Sequence, residues 1–283
     1  MKYPKRLFLF AGYDKDGIID DALIYYVSEL SKYGDIIVYI DNDIKTKNLS
    51  ILKKYTIKTI AIRHGEYDFG SYKRAYEYAD KHKLLSKYDY VYLVNDSVFG
   101  PLYNIKQTLD KIESIKTDAA GLIVAKHETH SYMESWFIRL NKNIFESPWF
   151  KKFILSVTKQ PTKARITIQY EHGLSNLIRA NKCSWSGIHT YHGRFTYNNP
   201  KYLFKHKCPF VKKACFTRHN GAFGNQIKNI LNNCDKKAAE SILKTANRIY
   251  GTEYMNKFLT YNPIKIFVRK FRYALQKIIN GGI

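Results

Sequence analysis

The stretch Tyr88–Leu102, YDYVYLVNDSVFGPL, decides the fold. Tyr90 to Val94 is an apolar run of β-branched and aromatic residues, the composition of a strand buried on both faces. It breaks into Asn95, Asp96 and Ser97, and ends on Gly100-Pro101. An open α/β sheet places its ligands where a buried strand stops at polar residues. Two readings of Asn95-Asp96-Ser97 compete: a ligand-facing carboxylate turn, or a cap for the segment that follows.

Working outward, the same pattern repeats. Arg6 to Gly12 reads as a buried strand ending in a glycine turn, followed by the polar loop Tyr13-Asp14-Lys15-Asp16-Gly17. Asp20-Asp21 opens a helix over 22–32, with Leu23, Tyr26, Val27 and Leu30 on one face. Ile36 to Ile40 is a second strand, ending at Asp41-Asn42-Asp43. A short helix over 49–55 and a strand over 59–62 follow. The loop Arg63 to Gly70 then leads into a helix from Ser71 to Leu85. Short alternation of strand and helix predicts a doubly wound, mostly parallel sheet, with all four polar strand ends on one edge. The segment 132–140, YMESWFIRL, reads as one later strand, and 167–179, TIQYEHGLSNLIR, as a helix. Neither G-x-G-x-x-G nor a P-loop occurs, so dinucleotide oxidoreductases and P-loop NTPases lose their main support.

Charge divides the chain. Residues 1–150 carry 22 Lys/Arg against 20 Asp/Glu, a net of +2, and residues 151–283 carry 25 against 4, a net of +21. Such asymmetry points to an anionic partner of the second half: nucleic acid, a membrane surface or a phosphate-bearing substrate. A solubilising Lys excess is the plainer alternative. The four cysteines, Cys183, Cys208, Cys215 and Cys234, lack zinc-finger spacing. The N-terminal apolar run is too short for a signal-peptide core, and no stretch approaches a spanning helix, so the expectation is a cytoplasmic protein with reduced thiols. At the far end, Asn262-Pro263 starts a helix over 263–280 in which Ile264, Phe267, Val268, Phe271, Leu275 and Ile278 recur at helical spacing. Lys265, Arg269, Lys270, Arg272 and Lys277 lie among them, with no acidic residue. Two readings stay open: a helix for an anionic membrane surface, or one docked on the protein with a basic outer face.

Three blocks together resemble the rhamnan-synthesis F family of bacterial polysaccharide glycosyltransferases. They are Tyr13 to Gly17 with Asp20, then Tyr67-Asp68-Phe69-Gly70-Ser71-Tyr72, then Asn95 to Pro101. Later pieces are also similar: Ser135-Trp136-Phe137, Ser147 to Phe153, Tyr170 to Leu174, Asn199-Pro200 and Pro209 to Lys213. The chain departs from the family pattern at Glu134, where Gln is expected, and at Arg63-His64-Gly65-Glu66, where an Asn-containing turn is usual.

The resemblance implies an α/β fold of GT-A-like, Rossmann-like type, with a mostly parallel sheet flanked by helices, to which the charge and helical spacing of the far end add a basic helical C-terminal extension. It implies a glycosyltransferase domain over 1–215, with a nucleotide-sugar half over 1–125 and an acceptor half over 126–215, followed by a basic helical region over 216–283. The implied reaction moves a sugar, rhamnose or a related deoxyhexose, from a nucleotide-diphosphate donor to a growing polysaccharide or a polyprenyl-linked glycan, with inversion. Asp96 then meets the donor diphosphate through a divalent cation, Mn²⁺ or Mg²⁺, with His192 as a second candidate ligand. Glu171 is the candidate general base, against a reading as a helix N-terminal acid. Tyr13, Asp14, Asp41, Arg63, Tyr67, Asp68, Gly70, Asn95 and Ser97 complete the candidate donor pocket. Asp68 and Asp41 also have plainer readings, as a helix cap near Ser71 and as a strand end. The implied location is the inner face of the cell membrane, with no nucleic acid bound. The rivals are a basic nucleic-acid binder and a non-catalytic scaffold of a membrane complex.

Overall fold

A computed structural model describes residues 4–43, 46–260 and 263–279. The strands in chain order are β1 (Arg6–Gly12), β2 (Asp35–Ile40), β3 (Lys58–Ala61), β4 (Tyr90–Asn95), β5 (Val98–Phe99), β6 (Ala119–Lys126), β7 (Ser131–Met133), β8 (Phe137–Asn141), β9 (Trp185–His192) and β10 (Val211–Lys212). The main sheet runs β3-β2-β1-β4-β8-β6-β7, with β9 also paired to β6. Strands β1 to β4 pair in parallel, whereas β8 joins β4, and β6 joins β8, in antiparallel fashion. This is the expected α/β class: a Rossmann-like parallel half extended by antiparallel strands and flanked by helices.

Chain contacts divide the protein into two compact units. The first comprises residues 1–19, 27–96 and 106–190, and holds the main sheet. Every residue of β1 is buried, which explains why Leu7 to Gly12 is apolar throughout rather than alternating. Leu7, Leu9, Ile37, Val91 and Leu93 share a cluster with Phe69, Tyr72, Ala75, Tyr76 and Ala79, one stripe of the helix Tyr67–Lys81. The intervening residues of the sheet carry polar anchors. Arg6 Nε donates to Glu113 at 2.6 Å, and the Tyr92 hydroxyl donates to the same carboxylate, fixing the helix Lys106–Ser114.

The second unit comprises 20–26, 97–105 and 191–283. It starts well before the expected boundary at 215, and it takes in two early segments. Hydrophobic burial and strand pairing account for both. Ala22, Phe99 and Leu102 are buried in one cluster with Phe216, Ile227, Ile242 and Phe258, and β5 pairs antiparallel with β10. Asp20 also bonds Arg248 at 2.9 Å. The predicted helix at 263–280 is present as Pro263–Ile279; positions 262 and 280 lie outside the described residues. Among the described residues, no helix is long and apolar enough to cross a membrane.

Two predicted elements differ. The helix after β3 begins at Tyr67, not Ser71, so Asp68 and Gly70 lie inside it and Asp68 is not its cap. The stretch 132–140 is two strands, β7 and β8, broken at Glu134–Trp136.

Candidate functional site

The parallel register aligns the C-terminal ends of the first strands: Gly12 lies beside Ile40, and Ala11 beside Asn95. The chain leaves β1 and β4 at adjacent points. There the Tyr13 backbone N–H donates to Asp96 Oδ2 at 3.2 Å, and the Asp96 N–H donates to the Ala11 carbonyl at 3.2 Å. The segment after Asp96 is the strand β5, not a helix. The capping reading of Asn95-Asp96-Ser97 therefore fails, and Asp96 is a carboxylate turned onto the sheet edge. Asp14 shapes the neighbouring loop. Its Oδ1 accepts from the N–H groups of Asp16 at 2.9 Å and Ile18 at 3.1 Å, and its carbonyl accepts from Asn42 Nδ2. Tyr13 itself is 54% exposed.

Asp41, buried at the end of β2, spends its carboxylate on the next loop. Oδ1 accepts from the His64 N–H at 2.9 Å, and both oxygens lie 3.1 Å from the Gly65 N. His64 is held in turn. The Glu66 N–H donates to Nδ1 at 3.0 Å, so the proton sits on Nε2, which donates to Ser71 Oγ at 3.1 Å. Burial, reinforced by the nearby Arg74, lowers the His64 pKa and keeps the ring neutral. Gly70 is required by the same packing, since a Cβ there would stand 2.6 Å from His64 Nδ1. Arg63 is exposed and pairs with Asp43 at 3.4 Å. Tyr67, also exposed, opens the helix with φ of 56°. Asp41 is thus a loop anchor in this arrangement, and Arg63 and Tyr67 are the exposed side chains it presents.

The end of β4 makes a second polar contact on this edge. Asp68, in the first turn of the helix Tyr67–Lys81, accepts from Asn95 Nδ2 at 2.9 Å. The Asn95 N–H donates to the Trp136 carbonyl at 3.3 Å, inside the break between β7 and β8. Within that break, Trp136 Nε1 donates to the buried Glu134 at 2.6 Å, and the Ser135 N–H donates to Glu171 Oε1. The Tyr72 hydroxyl donates to the Ser135 carbonyl at 2.9 Å. Asp68, Asn95, Ser135 and Glu171 therefore form one connected polar patch. Glu171 does not sit at a helix start. It lies on a π-helical turn, Thr167–His172, between two α-helical pieces. Such turns cost regular hydrogen bonding and recur at functional sites. Glu134, Ser135 and Trp136 are the site residues the strand reading of 132–140 overlooks. The available signal is the Glu134-Ser135 pair, which a strand buried on both faces does not accommodate.

Next to Glu171, the His172 ring stacks on Tyr132 with centroids 3.9 Å apart, and His130 lies 4.9 Å from His172. Burial, with His130 and His127 nearby, pushes the His172 pKa down to about 4, so this ring is neutral near pH 7.

Two candidates belong to the second unit. Ser97 Oγ lies 3.4 Å from Nζ of the buried Lys212, which also stands over the Tyr197 ring. His192 is exposed at the end of β9. Among the described residues, no three His, Cys, Asp or Glu side chains gather so as to hold a metal ion. His192 is thus not drawn into a ligand group. Asp96 offers a single carboxylate, which fits a cation whose remaining ligands come from waters and substrate phosphates rather than from a protein cage.

The profile of the family described as rhamnan synthesis protein F matches residues 36–279. Among solved structures, a Desulfovibrio desulfuricans protein assigned as a nucleotide-diphospho-sugar transferase aligns over 90% of this chain and 99% of its own, at 14% identity and a TM-score of 0.39. The glycosyltransferase GlyE of Streptococcus pneumoniae aligns over 73% of this chain and 50% of its own, at 14% identity and a TM-score of 0.40. The S. cerevisiae mannosyltransferase Ktr4p, in complex with GDP, aligns over 52% of this chain and 59% of its own, at 10% identity and a TM-score of 0.33. No curated protein matches the sequence.

Proposed function

The chain belongs to the rhamnan synthesis protein F family, and from that premise we propose that it is a glycosyltransferase acting on a nucleotide-diphosphate sugar. The observation that carries this reading is Asp96, a carboxylate held at the C-terminal end of β4 against the Tyr13 N–H, on the edge where an α/β sheet binds its ligands.

In this reading the donor diphosphate lies at Asp96. A divalent cation bound there would offset charge developing on the leaving diphosphate. The loop anchored by Asp41, with Tyr67 and Arg63 exposed on it, and the turn shaped by Asp14 contact the nucleoside and phosphates. Glu171 removes the proton from the acceptor hydroxyl. The acceptor oxygen then forms a bond to the anomeric carbon as the bond from that carbon to the diphosphate oxygen breaks, and the nucleoside diphosphate departs. Attack from the face opposite the leaving group inverts the anomeric configuration. The donor sugar proposed is rhamnose or a related deoxyhexose, and the acceptor a growing polysaccharide or a polyprenyl-linked glycan.

The test is release of nucleoside diphosphate from a panel of deoxyhexose and hexose nucleotides, with and without Mn²⁺ or Mg²⁺. Turnover of a deoxyhexose nucleotide supports the proposal. Turnover of hexose nucleotides alone corrects the sugar. Binding without release favours a non-catalytic scaffold, and the absence of both refutes the reading.

A further inference from the structure

The helix Pro263–Ile279 leaves a run of apolar side chains in solvent. Ile264, Phe267, Phe271, Leu275, Ile278 and Ile279 are between 41% and 78% exposed. At about 100° per residue these six fall on one stripe roughly 120° wide. Tyr273 falls on the opposite side of the helix, and it alone of these positions is packed inward. Its ring lies 4.5 Å from His219 and 5.8 Å from Phe223, both in the same unit. The packing of Tyr273 therefore turns the apolar stripe away from its own unit. The helix is docked through Tyr273, with an apolar face rather than a basic one turned outward.

Charge identifies what covers that face. Lys270 and Arg272 are exposed and lie on either side of the stripe. The chain has no acidic residue after Glu253, while Lys257, Lys265, Arg269, Lys270, Arg272 and Lys277 all follow it. A second copy of the helix would bring like charges together along the same seam. An aromatic and aliphatic stripe between basic flanks is instead the arrangement of a helix lying in a lipid interface, its apolar face in the acyl boundary and its cations at anionic headgroups. We infer that the stripe Ile264–Ile279 seats this protein on an anionic lipid bilayer without crossing it. The inference stands on this helix alone and does not depend on the glycosyltransferase reading.

The full chain tests it by co-sedimentation with vesicles of phosphatidylcholine mixed with phosphatidylglycerol, and with vesicles of phosphatidylcholine alone. The expected result is strong partitioning to the mixed vesicles, weak partitioning to the neutral ones, and release by added salt. The Phe267→Ser/Phe271→Ser/Ile278→Ser variant should lose roughly tenfold or more of that partitioning, since binding scales with buried apolar area. The three side chains are exposed, so its thermal melt should match the parent. Lys270→Gln/Arg272→Gln should weaken binding and flatten its salt dependence. No binding to mixed vesicles, or equal binding by the serine variant, overturns the inference. So does a vesicle-free dimer, seen by light scattering, that the serine variant converts to monomer.

Discussion

The Asn95 side-chain amide donates to Asp68 Oδ2 at 2.9 Å, tying the end of β4 to the first turn of the helix Tyr67–Lys81. Two blocks that the sequence places 27 residues apart thus form one polar contact beside Asp96. Asn95 is 2% exposed. Replacing it with Ala removes a hydrogen-bond donor to a carboxylate and should cost about 1–3 kcal/mol. Urea denaturation of Asn95→Ala against the parent measures this, and donor affinity should fall in the same variant.

Gly70 tests whether the loop from Arg63 is built by packing. A Cβ at this position would lie 2.4 Å from Glu66 Cβ and 2.6 Å from His64 Nδ1. Alanine in a helix interior gains about 1 kcal/mol over glycine, whereas overpacking of this kind costs about 1–3 kcal/mol. The clash should win: Gly70→Ala should melt at a lower temperature than the parent and bind donor more weakly. A raised melting temperature would show that the loop yields.

The general-base assignment makes a kinetic prediction. Gln at position 171 keeps an oxygen for the Ser135 N–H but cannot take a proton. Glu171→Gln should therefore lower kcat by about 10²–10⁴-fold, with donor KM and thermal stability near those of the parent. Unchanged kcat would remove Glu171 from the reaction.

His172 sets a pH dependence of stability. Its pKa falls to about 4 in the folded chain, against about 6.5 in an unfolded one. Between these values the unfolded state binds the additional proton, so stability declines as pH drops through that window and levels off below it. His172→Phe keeps an aromatic ring for the stack on Tyr132 and removes the titration. Thermal melts of this variant should fall less steeply than the parent's between pH 6.5 and pH 4.

The parallel half of the sheet is legible because burial on both faces writes itself as apolar runs. β1 is read residue for residue, and β2, β3 and β4 differ from expectation only at their ends. Non-local pairing is not legible in this way. Nothing in Val98-Phe99 announces Val211-Lys212 as its partner, so the division of the chain into units escapes the sequence. Breaks caused by a distant side chain are also hidden. YMESWFIRL has strand composition, yet residues 134–136 form a turn in which the Ser135 N–H donates to Glu171 and the Trp136 indole donates to Glu134, partners the strand pattern does not announce. The helix start at Tyr67 was masked by Gly70, a residue usually read as a breaker. Here it fits a helix because the His64 ring leaves no room for a side chain.

Calorimetric titration of nucleoside diphosphates into the parent chain and into Asp96→Asn, with Mn²⁺ or Mg²⁺ present, measures whether Asp96 holds the donor diphosphate. The parent should bind at least one nucleoside diphosphate in a cation-dependent way, and Asp96→Asn should lose this binding while its melting temperature stays close to the parent's. Equal binding by the two proteins, or no binding of any nucleoside diphosphate by the parent, would contradict this.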